Sequence, residues 1–488
     1  MRDERHASAA EDLPRRRRWR TLAGWLPELV VVLLVVAAGL NLRFDLGQHW
    51  FGVEHAAARE PAAVLPPAGL HLSAGTAAPP VALSSPSAPI DPAAVRAAVA
   101  PYVGAGDLGG HVDVAVSDLA SGQIVYRHGA GAVTPASTTK LLTTTAALAK
   151  LGPTARFRTT VRGSGNRIVL VGGGDPFLAT SRATAKGLYP VRATLDDLAA
   201  RTAAALGAQG IRTVRLSYDA SLFTGPTVNP AWPATYLPDN VVPPITALWT
   251  DEGQDGHDHY VSDPPRAAAT AFAGALAAHG IVVKGPVSPG VSAPADTELA
   301  AVESAPLAEI VERTLAVSDN NAAEVLAHQV GLAVRQDPSF AGGVAAVMQV
   351  LQELGVDTTG STVYDGSGLS RQDRLTPQTL LDVLRVAASQ DHPALRSVIT
   401  GLPVAGFVGS LQQRFEDAPA TARGRVRAKT GTLTGVSGLA GIATDLQGNR
   451  MAFVVIADHV AVPKTLAARH ALDLIAGALG ACRCGSTS

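Results

Sequence analysis

The order of apolar and polar positions predicts a mixed α/β chain whose strands fall into N-terminal, middle and C-terminal groups. Aliphatic and β-branched runs bounded by Gly, Ser and Asn turns are typical of strands. The two outer groups comprise residues 112–117, 123–127, 425–432, 436–443 and 451–457. A helix is predicted to close the chain over residues 464–479.

The middle group lies between the two outer groups. Residues 157–162, 167–171 and 211–217 have strand patterns, and residues 195–206 have a helical pattern. We expect residues 155–291 to form an inserted domain, and residues 93–154 and 292–481 to form the main domain.

The N-terminus combines a basic block with an apolar segment. Four Arg residues, 15–18, precede residues 21–42, in which Glu28 is the only charged side chain. Because positive flanks stay on the cytoplasmic side, residues 1–20 should be cytoplasmic and the remainder of the chain exported. Residues 21–42 are long enough to span a membrane, whereas the purely apolar core, residues 29–40, has the length of a signal-peptide core. The segment is therefore either an uncleaved anchor or a cleaved signal.

A Pro- and Ala-rich stretch, residues 56–92, follows the apolar segment and contains few large apolar side chains. This composition is typical of an extended tether. If residues 21–42 are an anchor, the tether would hold the folded part off the outer face of the membrane.

Composition restricts the class of protein. With 47% hydrophobic and 17% charged residues, the 488-residue chain can bury a large core. A net charge of −1 and a pI near 6.9 give no general attraction to nucleic acid. The only cysteines, Cys482 and Cys484, exclude a framework of disulfides. They could oxidise in an exported protein, but we expect a frayed, dispensable tail there.

The stretch Ser137-Thr138-Thr139-Lys140 is the first candidate for chemistry, because Lys is rare in a chain whose other permanent cations are Arg. A desolvated amine beside another cation can act as a base, whereas a guanidinium cannot. Pro135 and the apolar run after the motif predict a helix that begins near Thr134. Residues i and i+3 share a helix face, so Ser137 and Lys140 should point into one site.

Two further motifs occur in order along the chain. Ser318-Asp319-Asn320 lies between two helical patterns, and Lys429-Thr430-Gly431 lies in a predicted strand, where Gly431 permits a ligand backbone to approach closely. The combination S-x-x-K, S-D-N and K-T-G is the established signature of class A β-lactamases and penicillin-binding proteins.

Three additional stretches narrow the resemblance to one family: Gly172-Gly173-Gly174-Asp175-Pro176, Pro306-Leu307-Ala308-Glu309-Ile310 and Asp365-Gly366-Ser367-Gly368-Leu369-Ser370-Arg371. With the long segment between the first two motifs, they resemble the class C low-molecular-mass penicillin-binding proteins, the D-alanyl-D-alanine carboxypeptidase/endopeptidase family. The resemblance covers about residues 90–481. It implies an α/β (α+β), β-lactamase/transpeptidase-like fold, with a five-stranded sheet flanked by helices and a large inserted domain.

The resemblance also implies a reaction. Ser137 would attack the bond between the terminal D-Ala residues of a peptidoglycan stem peptide, Lys140 would remove its proton, and β-lactam antibiotics would inhibit by acylating Ser137. Lys429 would be the cation that keeps Lys140 neutral. Ser318 would relay a proton to the leaving amine, and Asn320 would hold the peptide carbonyl.

The substrate's carboxylate would bind in the third motif, through Thr430 and Thr432 beside Gly431. The backbone N–H groups of Ser137 and Thr432 would form the oxyanion hole. The resemblance implies neither a metal nor an organic cofactor.

The motifs leave two alternatives open. A class A β-lactamase carries a deacylating Glu four residues before an Asn, and here Glu353 is followed four residues later by Asp357. The other alternative is a membrane-tethered cell-wall binding protein that keeps the fold without turnover.

Overall fold

The strands of the described residues fall into two sheets. The structure is a computed structural model that describes residues 88–257 and 259–486. In chain order the strands are β1 (Val112–Asp118), β2 (Ile124–His128), β3 (Arg158–Ser164), β4 (Arg167–Val171), β5 (Thr213–Asp219), β6 (Val282–Val283), β7 (Ser288–Pro289), β8 (Thr297–Glu303), β9 (Val426–Leu433), β10 (Val436–Thr444) and β11 (Arg450–Ala457). The helices are α1 (Pro92–Val103), α2 (Lys140–Leu151), α3 (Arg182–Ala185), α4 (Leu195–Ala208), α5 (Pro264–Ala278), α6 (Leu307–Ala316), α7 (Asn320–Arg335), α8 (Phe340–Glu353), α9 (Pro377–Ala388), α10 (Arg396–Thr400) and α11 (Thr465–Ala481).

The first sheet has five strands in the order β2-β1-β11-β10-β9, and all its neighbours are antiparallel. It joins two strands from the start of the main domain to three from its end. The predicted five-stranded sheet is therefore confirmed, and β9, which carries the third motif, lies at one edge.

Both faces of this sheet are buried. Successive residues of β11 point to opposite faces, so they pack in two different cores. Phe453 and Val455 pack in a core with residues of α1 and α11. Val454 and Ile456 pack in a second core that includes Leu141 of α2 and residues of α6, α7, α8 and α9. The second core fixes α2 and α7, whose N-terminal ends carry the first two motifs.

The second sheet has the order β6-β5-β4-β3-β8, and β7 pairs with β5. Helices α4 and α5 cover one face, where Leu198 and Phe272 pack against Ile168 and Leu216. This sheet extends past the predicted boundary at residue 291, because β8 pairs with β3 along Thr297–Glu303. The boundary is missed because β8 alternates weakly and lies far from β3 in sequence.

The prediction of a frayed C-terminal tail is wrong. Cys482 and Cys484 form a disulfide, and Cys484 is fully buried. The carbonyl of Cys484 accepts a hydrogen bond from the N–H of Asp91 at 2.7 Å, and its N–H donates to the Asp445 carboxylate at 3.0 Å. The tail is held because it bonds to both the start of the folded region and the β10–β11 turn.

Within residues 88–257 and 259–486, no helix is both long enough and apolar enough to cross a membrane. The predicted anchor or signal, residues 21–42, lies outside the described residues, as does most of the predicted tether.

Candidate active site

Ser137 lies in a short 3-10 turn, Ala136–Thr139, immediately before α2. The predicted helix start near Thr134 is wrong, because Ala136 has a left-handed φ of 47° that interrupts a regular helix. Gly368 packs against this turn so closely that an added Cβ atom would lie 1.9 Å from the Ala136 carbonyl oxygen. The N–H of Lys140 still bonds to the carbonyl of Ser137, so the two residues remain neighbours.

The amine of Lys140 connects the first two motifs. Lys140 is fully buried, and its Nζ lies 3.0 Å from Ser137 Oγ and 2.6 Å from Asn320 Oδ1. A third contact, at 2.7 Å, is to the backbone carbonyl of Ser367. These partners fix the amine within hydrogen-bond reach of the hydroxyl, as a general base requires.

Burial lowers the pKa of Lys140 to about 8, although the carboxyl groups of Asp365, Glu324 and Asp319 oppose the shift. About a tenth of the amine is therefore neutral at pH 7, far more than for an ordinary Lys. Only this neutral form can accept the Ser137 proton.

The second motif forms the turn between α6 and α7. Ser318 has a left-handed φ of 63°, which turns the chain sharply before Asn320 starts α7. Asp319 caps that helix, because its carboxylate accepts the N–H of Ala322 at 2.9 Å. The turn therefore presents Asn320 to Lys140, and Ser318 is half-buried.

The third motif lies on β9, against the turn of Ser137. A Cβ atom added to Gly431 would lie 2.7 Å from the carbonyl oxygen of Pro135. The backbone that approaches Gly431 closely is therefore the protein's own, next to the 3-10 turn. The sequence instead predicts that a ligand backbone approaches at this position. Thr432 is exposed, and Thr430 Oγ1 lies 2.9 Å from Ser410 Oγ.

Lys429 is fully buried and donates to the backbone carbonyl of Thr430 at 2.9 Å. Its predicted role is the cation that keeps Lys140 neutral. Burial, followed by the positive charge of Lys140, lowers the pKa of Lys429 itself well below the ordinary value. Because repulsion between two amines is mutual, the pair loses one proton more readily than either amine would alone.

The segment that begins at Asp365 helps to hold the Lys140 amine in place. In the sequence this segment is visible only as a Gly-rich motif. The Asp365 carboxylate accepts the N–H groups of Gly368 and Ser370, both at 2.6 Å. These bonds curl the segment so that the Ser367 carbonyl faces Lys140. No side-chain pattern reports such a backbone contact, so the sequence does not predict it.

Two buried carboxyl groups accompany Asp365. Burial and the Asp365 charge raise the pKa of Glu324 to about 8 and that of Asp373 to about 10. Both groups are therefore largely neutral acids at neutral pH, which limits the negative charge beside Lys140. Glu324 lies on a buried face of α7 and accepts the Gly366 N–H at 3.1 Å.

The inserted region also touches the site. Trp232 Nε1 donates to the Asp365 carboxylate at 2.7 Å. Arg192 pairs with Glu252 at 2.7 Å, and the side chains are 5% and 20% exposed. Burial and the neighbouring Asp319 raise the pKa of Glu252 to about 7. The middle region therefore braces the second motif and the Asp365 segment, which sequence spacing does not predict.

The residues considered for a β-lactamase lie elsewhere. Glu353 ends α8, where it is exposed and accepts a hydrogen bond from Gln349 at 3.0 Å. Asp357 is also exposed, and its carboxylate accepts the N–H of Thr359. Neither carboxylate contacts Ser137 or Lys140.

A Ser hydroxyl beside a buried amine of lowered pKa, with an amide and a second Lys nearby, defines a site for acyl transfer through a serine nucleophile. The sequence matches the D-Ala-D-Ala carboxypeptidase 3 (S13) family over residues 95–256 and 255–479. The chain belongs to this family, which confirms the resemblance predicted from its motifs.

Two carboxypeptidases match over most of the chain. "Carboxypeptidase DacB" of Mycolicibacterium smegmatis is 33% identical over 476 residues, which cover 96% of this chain and 99% of the relative. "Carboxypeptidase Rv3627c" of Mycobacterium tuberculosis is 35% identical over 401 residues, which cover 80% of this chain and 85% of the relative. The crystal structure of penicillin binding protein 4 (dacB) from Haemophilus influenzae aligns with a TM-score of 0.64 at 22% identity, over 79% of this chain and 98% of that one. That structure supports the fold assignment.

Proposed function

We propose that this protein is a serine-type D-Ala-D-Ala carboxypeptidase/endopeptidase that cleaves peptidoglycan stem peptides through an acyl-enzyme on Ser137. The observation that carries the proposal is the buried Lys140 amine 3.0 Å from the Ser137 hydroxyl. Family membership supports the substrate class.

In the acylation step, Ser137 Oγ attacks the carbonyl carbon of the penultimate D-Ala while its proton passes to the neutral Lys140 amine. The oxyanion accepts hydrogen bonds from the backbone N–H groups of Ser137 and Thr432, which are each worth about 3 kcal/mol of barrier. The C–N bond then breaks, and Ser318 relays the proton held by Lys140 to the leaving amine, which returns Lys140 to its neutral form. Water hydrolyses the ester and restores the Ser137 hydroxyl.

Substrate binding depends on Lys429 and the rest of its strand. The carboxylate of the terminal D-Ala would lie beside Lys429 and the hydroxyls of Thr430 and Thr432. An anion at that position raises the pKa of Lys429, so substrate binding restores the charge that burial disfavours. Asn320 holds the peptide carbonyl while it also contacts Lys140.

The reaction implies action outside the cytoplasmic membrane, where peptidoglycan lies. Residues 21–42 would tether the enzyme to the outer face of the cytoplasmic membrane. Full-length protein should then sediment with membranes and remain there in high salt, because apolar burial is not screened. A soluble exported form whose N-terminus lies near residue 40 would instead identify a cleaved signal.

The test is release of D-Ala from a pentapeptide ending in D-Ala-D-Ala, followed by mass spectrometry with the full-length protein and Ser137→Ala. Loss of one D-Ala by the parent and no loss by the variant supports the proposal. A parent that binds the peptide without releasing D-Ala would be the catalytically silent binding protein. Rapid hydrolysis of penicillin without D-Ala release would favour a β-lactamase.

A further inference from the structure

A cavity of about 500 Å³ lies on the second sheet, and its lining includes Arg167, Arg215 and Lys284. All three cationic side chains are exposed. Ser217 and Ser288 add hydroxyl groups to the same lining. None of these residues belongs to the three motifs, so the cavity is separate from the catalytic groups.

The alternation of side chains explains why the cations face this cavity. On β4, Ile168 and Leu170 point into the core beneath α4 and α5, as Leu216 does on β5. Arg167 and Arg215 occupy intervening positions and therefore point to the opposite, open face. Helices α4 and α5 thus leave that face free for a ligand.

The strand register places like charges side by side. Arg167 is the direct partner of Arg215 in the parallel pair of β4 and β5. The N–H of Lys284 donates to the carbonyl of Val214 at 2.8 Å, which brings the third cation next to Arg215. Like charges opposite each other destabilise a sheet.

These cations have no counter-ion among the described residues. Other Arg side chains of the same region do form ion pairs, as in Arg158–Glu298 and Arg182–Asp197. Asp296 is the one acid that lines the cavity, and its carboxylate already accepts the Ala293 N–H at 2.7 Å. Three cations and one carboxylate leave two positive charges uncompensated.

We propose that this cavity is a binding site for a phosphate group, either free or carried by a polymer. A phosphate monoester carries between about 1.5 and 2 negative charges near neutral pH, which matches the two uncompensated positive charges. Guanidinium groups bind phosphate oxygens through paired N–H donors, and Lys284 adds a compact charge. Ser217 and Ser288 can donate further hydrogen bonds. The inserted region would bind a phosphate group at this cavity, which is separate from the catalytic groups.

The proposal is tested by isothermal titration calorimetry of the full-length protein with inorganic phosphate, long-chain polyphosphate and succinate. The variants are Arg215→Ala and Arg167→Ala, with Arg182→Ala as the control because Arg182 is an exposed Arg of the same region. We expect phosphate or polyphosphate to bind at least ten times more weakly to the first two variants than to the parent and control. Binding should also weaken as salt is added.

The ligand panel identifies the source of the phosphate. Equal affinity per phosphate for inorganic phosphate and polyphosphate indicates a free ligand, and binding of polyphosphate alone indicates a polymer. Equal binding by Arg215→Ala and Arg182→Ala would overturn the proposal, as would succinate binding as tightly as phosphate. D-Ala release should be the same in all variants, so this result is separate from the test of catalysis.

Discussion

The Nζ atom of Lys140 lies 3.0 Å from Ser137 Oγ and 2.6 Å from Asn320 Oδ1, so one amine joins two motifs that are far apart in sequence. Besides its proposed contact with substrate, Asn320 of the second motif therefore holds the Lys140 amine beside the Ser137 hydroxyl. Any change that moves the turn at Ser318 should alter proton removal as well as binding.

Lys140→Arg should slow acylation by penicillin at least 100-fold, because Arg keeps the charge but cannot accept a proton. Lys429→Arg should be milder, because it retains a cation for the substrate carboxylate. Stopped-flow acylation rates should rank the parent first, then Lys429→Arg, then Lys140→Arg. Lys150→Arg, an exposed position on the same helix, should match the parent. If Lys140→Arg were faster than Lys429→Arg, the two roles would have to be exchanged.

The acylation rate constant at saturating penicillin should rise with pH through about 8, because only neutral Lys140 acts as a base and its pKa is about 8. Glu324→Gln should move this rise to lower pH. Glu324, whose own pKa is about 8, is partly ionised in the pH range of the rise. The sign follows because that ionised share raises the pKa of Lys140, so its removal lowers that pKa. Glu353→Gln, at an exposed site, should leave the profile in place. A rise that does not move in Glu324→Gln would contradict this electrostatic coupling.

Gly431→Ala should slow acylation about tenfold or more, because its Cβ would lie 2.7 Å from the Pro135 carbonyl oxygen and push β9 away from the Ser137 turn. Strain of this kind typically costs about 1–3 kcal/mol. Gly110→Ala is the control, since no atom lies within 4 Å of the position of its added Cβ. Denaturant unfolding and acylation rates of both variants provide the measurement. Parent-like acylation by Gly431→Ala would show that the close approach does not position the nucleophile.

Arg192→Met should destabilise the protein by about 1–3 kcal/mol, because Glu252, whose pKa is already about 7, then stays buried as a protonated acid without its partner. The matched control, Arg182→Met, removes an exposed ion pair with Asp197 and should have a much smaller effect. Urea unfolding followed by circular dichroism compares the two. Equal losses in the free energy of unfolding would mean that the buried pair of Arg192 and Glu252 stabilises the protein no more than an exposed ion pair does.

Much of the main domain is predictable because its signals are local. The strands that become β1, β2, β9, β10 and β11 alternate or run as apolar segments between Gly turns. The second and third motifs lie in the turn and the strand expected of them, whereas Ser137 lies in a 3-10 turn before its helix. The sequence also predicts the pairing of Ser137 with Lys140, since three-residue spacing survives the change from an α-helix to a 3-10 turn.

The remaining features depend on contacts between distant residues. The left-handed conformation of Ala136 arises where Gly368 packs against the Ser137 turn, and neither residue signals the other in sequence. The ordered tail at Cys484 depends on hydrogen bonds to Asp91 and Asp445. The contact between Glu252 and Asp319 also cannot be predicted from the sequence, because it forms only when the inserted region folds back onto the second motif.

The most direct test of Ser137 as the nucleophile is mass spectrometry of the full-length protein after reaction with penicillin, followed by peptide mapping. We expect a single penicilloyl adduct on the peptide that contains Ser137, and no adduct in Ser137→Ala. An adduct on any other residue, or unchanged labelling of Ser137→Ala, would contradict the assignment of Ser137 as the nucleophile.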